Sequence, residues 1–138
     1  IRLSLVGSEM CIRDRPSEEK IEQLIEIIKN ENILGVVCAC VSPEISLSVL
    51  DKFLNCKVPF GFKINLWGVD EPGPIQTFNT AKPHEIGVNP NQSLGKRDNF
   101  DANEFYNLSK KFIEGGATIL GGCCETKPEH ISSISSFK

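Results

Sequence analysis

The chain has 138 residues, of which 40% are hydrophobic and 24% charged, with a net charge of -3. Those values belong to one ordinary globular domain. An acidic balance without clustered Lys and Arg excludes a nucleic-acid surface, and no apolar run approaches the roughly 20 residues of a membrane-spanning helix.

The six cysteines would imply a disulfide framework only in a secreted protein. Residues 1–15 have no proper n-region, no long apolar stretch and no small-residue cleavage site, so they are not a signal peptide, and the expected location is the cytoplasm. Within them Leu5–Asp14, LVGSEMCIRD, resembles the translation of a transposon-type sequencing adapter. Residues 1–15 are therefore set aside as a non-native segment, which removes Cys11 from the inventory, and residues 16–138 are read as the native part of the chain.

Ser17 can cap a first helix whose apolar positions Ile21, Leu24, Ile25 and Ile28 follow helical spacing to about Asn30. Glu18, Glu19, Glu22 and Glu26 form its solvated face. Ile33–Cys40 is a short run rich in branched residues, as in a strand buried on both faces. Ser42 and Pro43 supply an N-cap and an N1 proline for a helix through Leu54. Val58–Leu66 reads as the second strand, with Pro59 at its start and Gly61 marking a close backbone approach. A stretch rich in Pro, Gly and Asn runs from Trp67 to Phe100, a length typical of functional loops. Asp101 and Glu104 form a capping-box pattern for a helix with Phe105, Leu108 and Phe112 on one face, ended by Gly115 and Gly116. Ala117–Gly122 is the third strand, and Thr126 with Glu129 repeats the capping-box spacing around Pro128 to open the last helix.

Alternating helices and buried strands imply a parallel α/β sheet, either doubly wound or a (β/α)8 barrel. A closed barrel takes about 250 residues, so the expected fold is the last three β/α units of eight with the helix before them.

In such sheets the chemistry lies at the C-terminal ends of the strands, and two of the three end in cysteine. Strict alternation puts Cys38 and Cys40 on the same face, with Cys40 nearer the loop end. Gly121 and Gly122 precede Cys123 and Cys124 and relax the backbone, so that both thiols can turn to one centre. Three converging thiolates suit Zn2+, with the fourth position left open for substrate. Thiolate donors make zinc a weak activator of water and a good holder of a thiol, so the expected substrate is a thiol. Isolated cysteines are commonly core residues, the reading given to Cys56 and Cys38. His130 is read as a solvated or capping residue, His84 as a surface one and Trp67 as packing.

GGCCETKPEHI at Gly121–Ile131 resembles the C-terminal signature of the homocysteine S-methyltransferases. Cys40, three residues before Pro43, matches their Asn-Cys-x-x-Pro-Glu element, although Ala39 stands in the Asn position. LGKRD at Leu94–Asp98 and GGATILGGCC at Gly115–Cys124 are also similar to a branch of the family. The resemblance implies a zinc-dependent (β/α)8 barrel, incomplete here and inactive alone, that moves a methyl group to homocysteine and yields methionine. It implies Cys40, Cys123 and Cys124 as zinc ligands and homocysteine and a methyl donor as small-molecule partners. The donor stays open among S-adenosylmethionine, S-methylmethionine, betaine and a methylated folate. Family members carry Tyr-Pro-Asn after the seventh strand, where this chain has Lys63-Ile64-Asn65, and Asn65 is the residue that could keep a polar role near substrate. Two other classes remain: a structural zinc or scaffold module with a fourth protein ligand, and a dithiol redox site at Cys123 and Cys124.

Overall fold

A computed structural model of the chain describes residues 21–29, 32–68 and 94–137. The adapter-like segment, the Ser17 cap, Glu18, Glu19, His84 and most of the long loop lie outside the described residues. The element order is α1 (Ile21–Ile28), β1 (Val36–Val41), α2 (Pro43–Val49) continuing as a 3-10 segment (Leu50–Asn55), β2 (Phe60–Ile64), α3 (Ala102–Glu114), β3 (Ile119–Gly122) and α4 (Pro128–Ile134). The strands form one parallel sheet in the order β1-β2-β3. An α/β chain with a sequentially ordered parallel sheet is thus what the alternation of elements produces.

The local signals are used largely as read. The Ser42 hydroxyl accepts from the Ile45 amide, and Pro43 follows at the position where a missing N–H costs nothing. The Asp101 carboxylate accepts from the Asn103 and Glu104 amides at 2.8 and 3.0 Å. Of the two glycines after α3, Gly116 takes the left-handed position (φ 88), and the Gly116 and Ala117 amides return to the Ile113 and Phe112 carbonyls in a Schellman arrangement. At Gly61 a Cβ would overlap the Ile119 carbonyl of β3, so only glycine lets these strands approach.

One face of the sheet packs on the helices. Phe60, Phe62 and Ile64 of β2 meet Phe53, Phe105 and Phe112, with the Phe62 and Phe112 rings stacked at 4.5 Å. The register pairs Val36 with Phe60 and Cys38 with Phe62, so Cys38 belongs to this face and packs on the main core. The opposite face carries Val37 and Lys63, both exposed.

Strict alternation in β1 fails at its last turn. The register slips between Ala39 and Val41, so that Val41 rather than Cys40 faces Ile64. Cys40 is the extra residue of this β-bulge, with φ 60. Cys38 and Cys40 therefore do not share a face: the bulge turns Cys40 away from the main core and into a second cluster with Trp67, Ile45, Leu94, Cys123 and Cys124.

Candidate metal centre

The three strand ends are laced together by the residues after β2. The Asn65 amide donates to the Val41 carbonyl, the Cys123 amide donates to the Ile64 carbonyl, and the Leu66 amide donates to the Cys124 carbonyl. The centre strand thus fixes both cysteine-bearing neighbours. The Asn65 side chain adds a bond across the bulge, its Nδ2 donating to the Cys40 carbonyl at 2.8 Å while its Oδ1 accepts from the Trp67 amide at 3.3 Å. Both ends of the Asn65 amide are engaged by backbone, and the residue is buried.

After β3 the chain turns through Cys123–Thr126, with the Thr126 amide and hydroxyl both donating to the Cys123 carbonyl. Glu125 holds the left-handed conformation of this turn at φ 62. Gly121 and Gly122 do not adopt positive φ. Gly122 is instead needed for space, since a Cβ there would overlap the Thr126 side chain. The rotation that presents both thiols comes from the turn beyond them. Because the Thr126 hydroxyl is spent on Cys123, the N-cap of α4 moves on to Lys127, whose amide donates to His130 Nδ1 at 2.8 Å.

Cys40 and Cys124 bring their sulfurs to 3.9 Å, as do Cys123 and Cys124, and all three sulfurs lie within 4.8 Å of one another. A tetrahedral zinc with Zn–S bonds of roughly 2.3 Å has S···S edges of about 3.8 Å, so two of the edges are already at that length. Burial first, then the neighbouring sulfurs, pushes the Cys40 and Cys124 thiols above the usual thiol range. Without a cation, burial and like charge oppose the thiolate forms of Cys40 and Cys124. Soft donors, tetrahedral spacing and a need for positive charge all fit Zn2+.

The surroundings hold further polar groups. Arg97 grips Glu44 in a bidentate pair at 2.7 and 2.8 Å, and its Nε donates to the Trp67 carbonyl. Burial raises the Glu44 carboxyl, but the hydrogen bond and charge of Arg97, with backbone help, bring it below the ordinary carboxylate range. The pair ties the Leu94–Asp98 segment to the first turn of α2, directly after Cys40. The Trp67 ring is buried in the cysteine cluster, and its Nε1 has no hydrogen-bond partner among the described residues.

His130 is a buried cap, as one of its two expected roles held, and not a solvated residue: its Nδ1 accepts from the Lys127 amide and its Nε2 lies 3.1 Å from the Phe100 carbonyl, to which it donates. Cys56 lies against the main core, away from the cluster. The sequence pointed to Cys40, Cys123 and Cys124, and the fold brings them together. It did not reveal the Arg97–Glu44 strap or the unpartnered Trp67 donor. A guanidinium within LGKRD was the only available signal for the strap, and none was available for the donor.

No helix among the described residues is long and apolar enough to cross a membrane. The family model described as homocysteine S-methyltransferase matches residues 3–137, a range that takes in residues 5–14. Homocysteine S-methyltransferase 1 of Saccharomyces cerevisiae is 38% identical over 134 residues, covering 95% of this chain and 36% of the yeast protein. Homocysteine S-methyltransferase 2 of the same yeast is 30% identical over 130 residues, covering 91% of this chain and 34% of that protein. The chain therefore spans about a third of the length of the curated relatives it matches. Matched over nearly its whole length and carrying its paired cysteines at a strand end, the chain belongs to the homocysteine S-methyltransferase family.

Proposed function

We propose that the protein carrying this chain transfers a methyl group to the thiol of homocysteine, giving methionine, at a zinc site made by Cys40, Cys123 and Cys124. The observation that carries this reading is the convergence of three thiols within 4.8 Å at the C-terminal ends of two parallel strands. The sequential strand order fits three β/α units of a (β/α)8 barrel, since a doubly wound sheet reverses its order at a switch point. Residues 16–138 supply the C-terminal part of that barrel, and residues 1–15 are no part of it.

When bound, Zn2+ would supply the positive charge that keeps a substrate thiol in its attacking thiolate form. Cys40, Cys123 and Cys124 would hold the ion, and a donor set of three would leave room for that sulfur. The homocysteine sulfur gains a bond to the methyl carbon as the carbon's bond to the donor breaks, and the electron pair leaves with the donor. The residues of this chain contribute placement. Cys40, Cys123 and Cys124 fix where the sulfur sits, and Trp67 walls the position with an indole N–H that has no acceptor among the described residues. Arg97 holds the adjoining segment against α2. Asn65 acts from behind the site through the backbone. The partners are small molecules, homocysteine and an electrophilic methyl donor, and the protein works in the cytoplasm.

Cys123→Ala in the full-length protein is expected to lose zinc retention and methyl transfer together, measured as metal content after dialysis and as methionine formed. Unchanged activity would refute the assignment. X-ray absorption on the zinc-loaded protein is expected to show three sulfurs and one exchangeable ligand that becomes sulfur on adding homocysteine, whereas four fixed protein ligands would mark a structural site.

A further inference from the structure

We infer that Asn65 is a positioning residue for the metal ligand Cys40, acting through the backbone of the β1 bulge. The inference rests on the zinc reading of the cluster.

The residue at the bulge has two conformations open to it. In a regular strand Cys40 would take extended backbone, pair with Ile64 and continue on the face of Cys38 and Phe62, remote from Cys123 and Cys124. In the observed structure it is left-handed at φ 60, Val41 takes the place opposite Ile64, and the Cys40 sulfur stands 3.9 Å from that of Cys124. A residue with a Cβ disfavours the left-handed state, so something outside β1 must hold it there. Asn65 has the required contacts. Its backbone amide holds the Val41 carbonyl at 2.9 Å and its side chain holds the Cys40 carbonyl at 2.8 Å, so one residue grips both peptide oxygens that flank the slip. The Trp67 amide fixes the amide's orientation by donating to Oδ1, which leaves Nδ2 facing the Cys40 carbonyl. The neighbouring strand end does not use the Asn65 side chain, because Cys123 and Cys124 are held by backbone bonds and by the Thr126 hydroxyl. Losing the Asn65 amide therefore acts on one ligand of three.

The full-length protein, metal-free and then loaded with Co2+ or Zn2+, provides the test, with Asn65→Ala removing the side chain and Asn65→Leu replacing its volume without a donor. Both are expected to keep the wild-type circular dichroism. Sulfur-to-cobalt charge transfer is expected to fall from the intensity of three thiolates to that of two. Zinc affinity, measured by competition with a chromophoric chelator, is expected to fall about 10- to 100-fold, the usual effect of removing a group that orients a metal ligand. A folded variant with a three-thiolate spectrum and wild-type affinity would overturn the inference. So would loss of the fold in both variants, since the amide would then be holding the sheet rather than the ligand. A wild-type protein without a three-thiolate cobalt spectrum would sink the zinc reading itself, a result distinct from either.

Discussion

Zinc binding to the cluster should release protons in a number that the structure sets. Cys40 and Cys124 are pushed above the ordinary thiol range, by burial first and by neighbouring sulfurs second, so both are protonated at neutral pH in the metal-free protein. A metal ligand must be the thiolate, so each of these two residues gives up one proton on binding. Because the thiols lie above their usual range, the working range around neutrality lies below both, and affinity falls as pH falls throughout it. Those two protons alone make the apparent association constant drop about 100-fold per pH unit, so the fall between roughly pH 8 and pH 6 is expected to be about 10,000-fold or more. In Cys40→Ala one proton is missing, and the drop over the same interval is smaller by a factor of about 100. Chelator competition at several pH values gives the slope. Calorimetry in buffers of different ionisation enthalpy counts the protons independently. The reasoning fails if affinity is flat with pH, or if Cys40→Ala has the slope of the parent.

Gly61→Ala would drive a methyl group into the Ile119 carbonyl, and neither backbone can yield without parting β2 from β3. Overpacking against backbone is expected to destabilise by about 3 kcal/mol or more, read as a lower denaturation midpoint in urea; a loss under about 1 kcal/mol would contradict the close approach. Glu44→Gln breaks the bidentate pair with Arg97, whose glutamate end is half exposed and screened, so the stability change is expected to be at most about 1 kcal/mol. Since the Glu44 carboxyl is lowered, the parent's advantage is present above the ordinary carboxylate pKa of about 4.3 and is lost as pH falls through the lowered value, whereas the variant shows no such loss.

The fold was legible wherever a signal was local. Ser42 with Pro43, Asp101, and the Gly115-Gly116 pair act over three or four residues, and each ends or starts an element where the sequence put it. Gly61 was legible because a glycine inside a buried apolar run has few other uses. The last turn of the second helix was not, and Leu50–Asn55 tightens to a 3-10 segment with Phe53 buried. At the site, cysteine chemistry pointed to Cys40, Cys123 and Cys124, but the way they meet depends on bonds between distant segments. The partner of the Cys40 carbonyl is 25 residues away, and Arg97 is 53 from Glu44. Alternation alone placed Cys40 beside Cys38, because no period-two reading contains a bulge. Thr126 carries the same lesson: its spacing to Glu129 fits a capping box, yet its hydroxyl closes the turn at Cys123.

The two non-glycine residues with positive φ among the described residues are Cys40 and Glu125, and they border the same cluster. Each such residue costs about 1–3 kcal/mol, and the arrangement also crowds three thiols where ionisation of Cys40 and Cys124 is opposed by burial and by like charge. Nothing in the apolar core gains from this, since a regular β1 would bury Cys40 against Phe62 with no left-handed residue. Structural zinc sites contribute about 10 kcal/mol or more, which exceeds the combined strain of two left-handed residues by a comfortable margin. Strain confined to the two strand ends that carry the thiols is therefore what a metal-binding site predicts. A sheet selected for packing alone would have relaxed it.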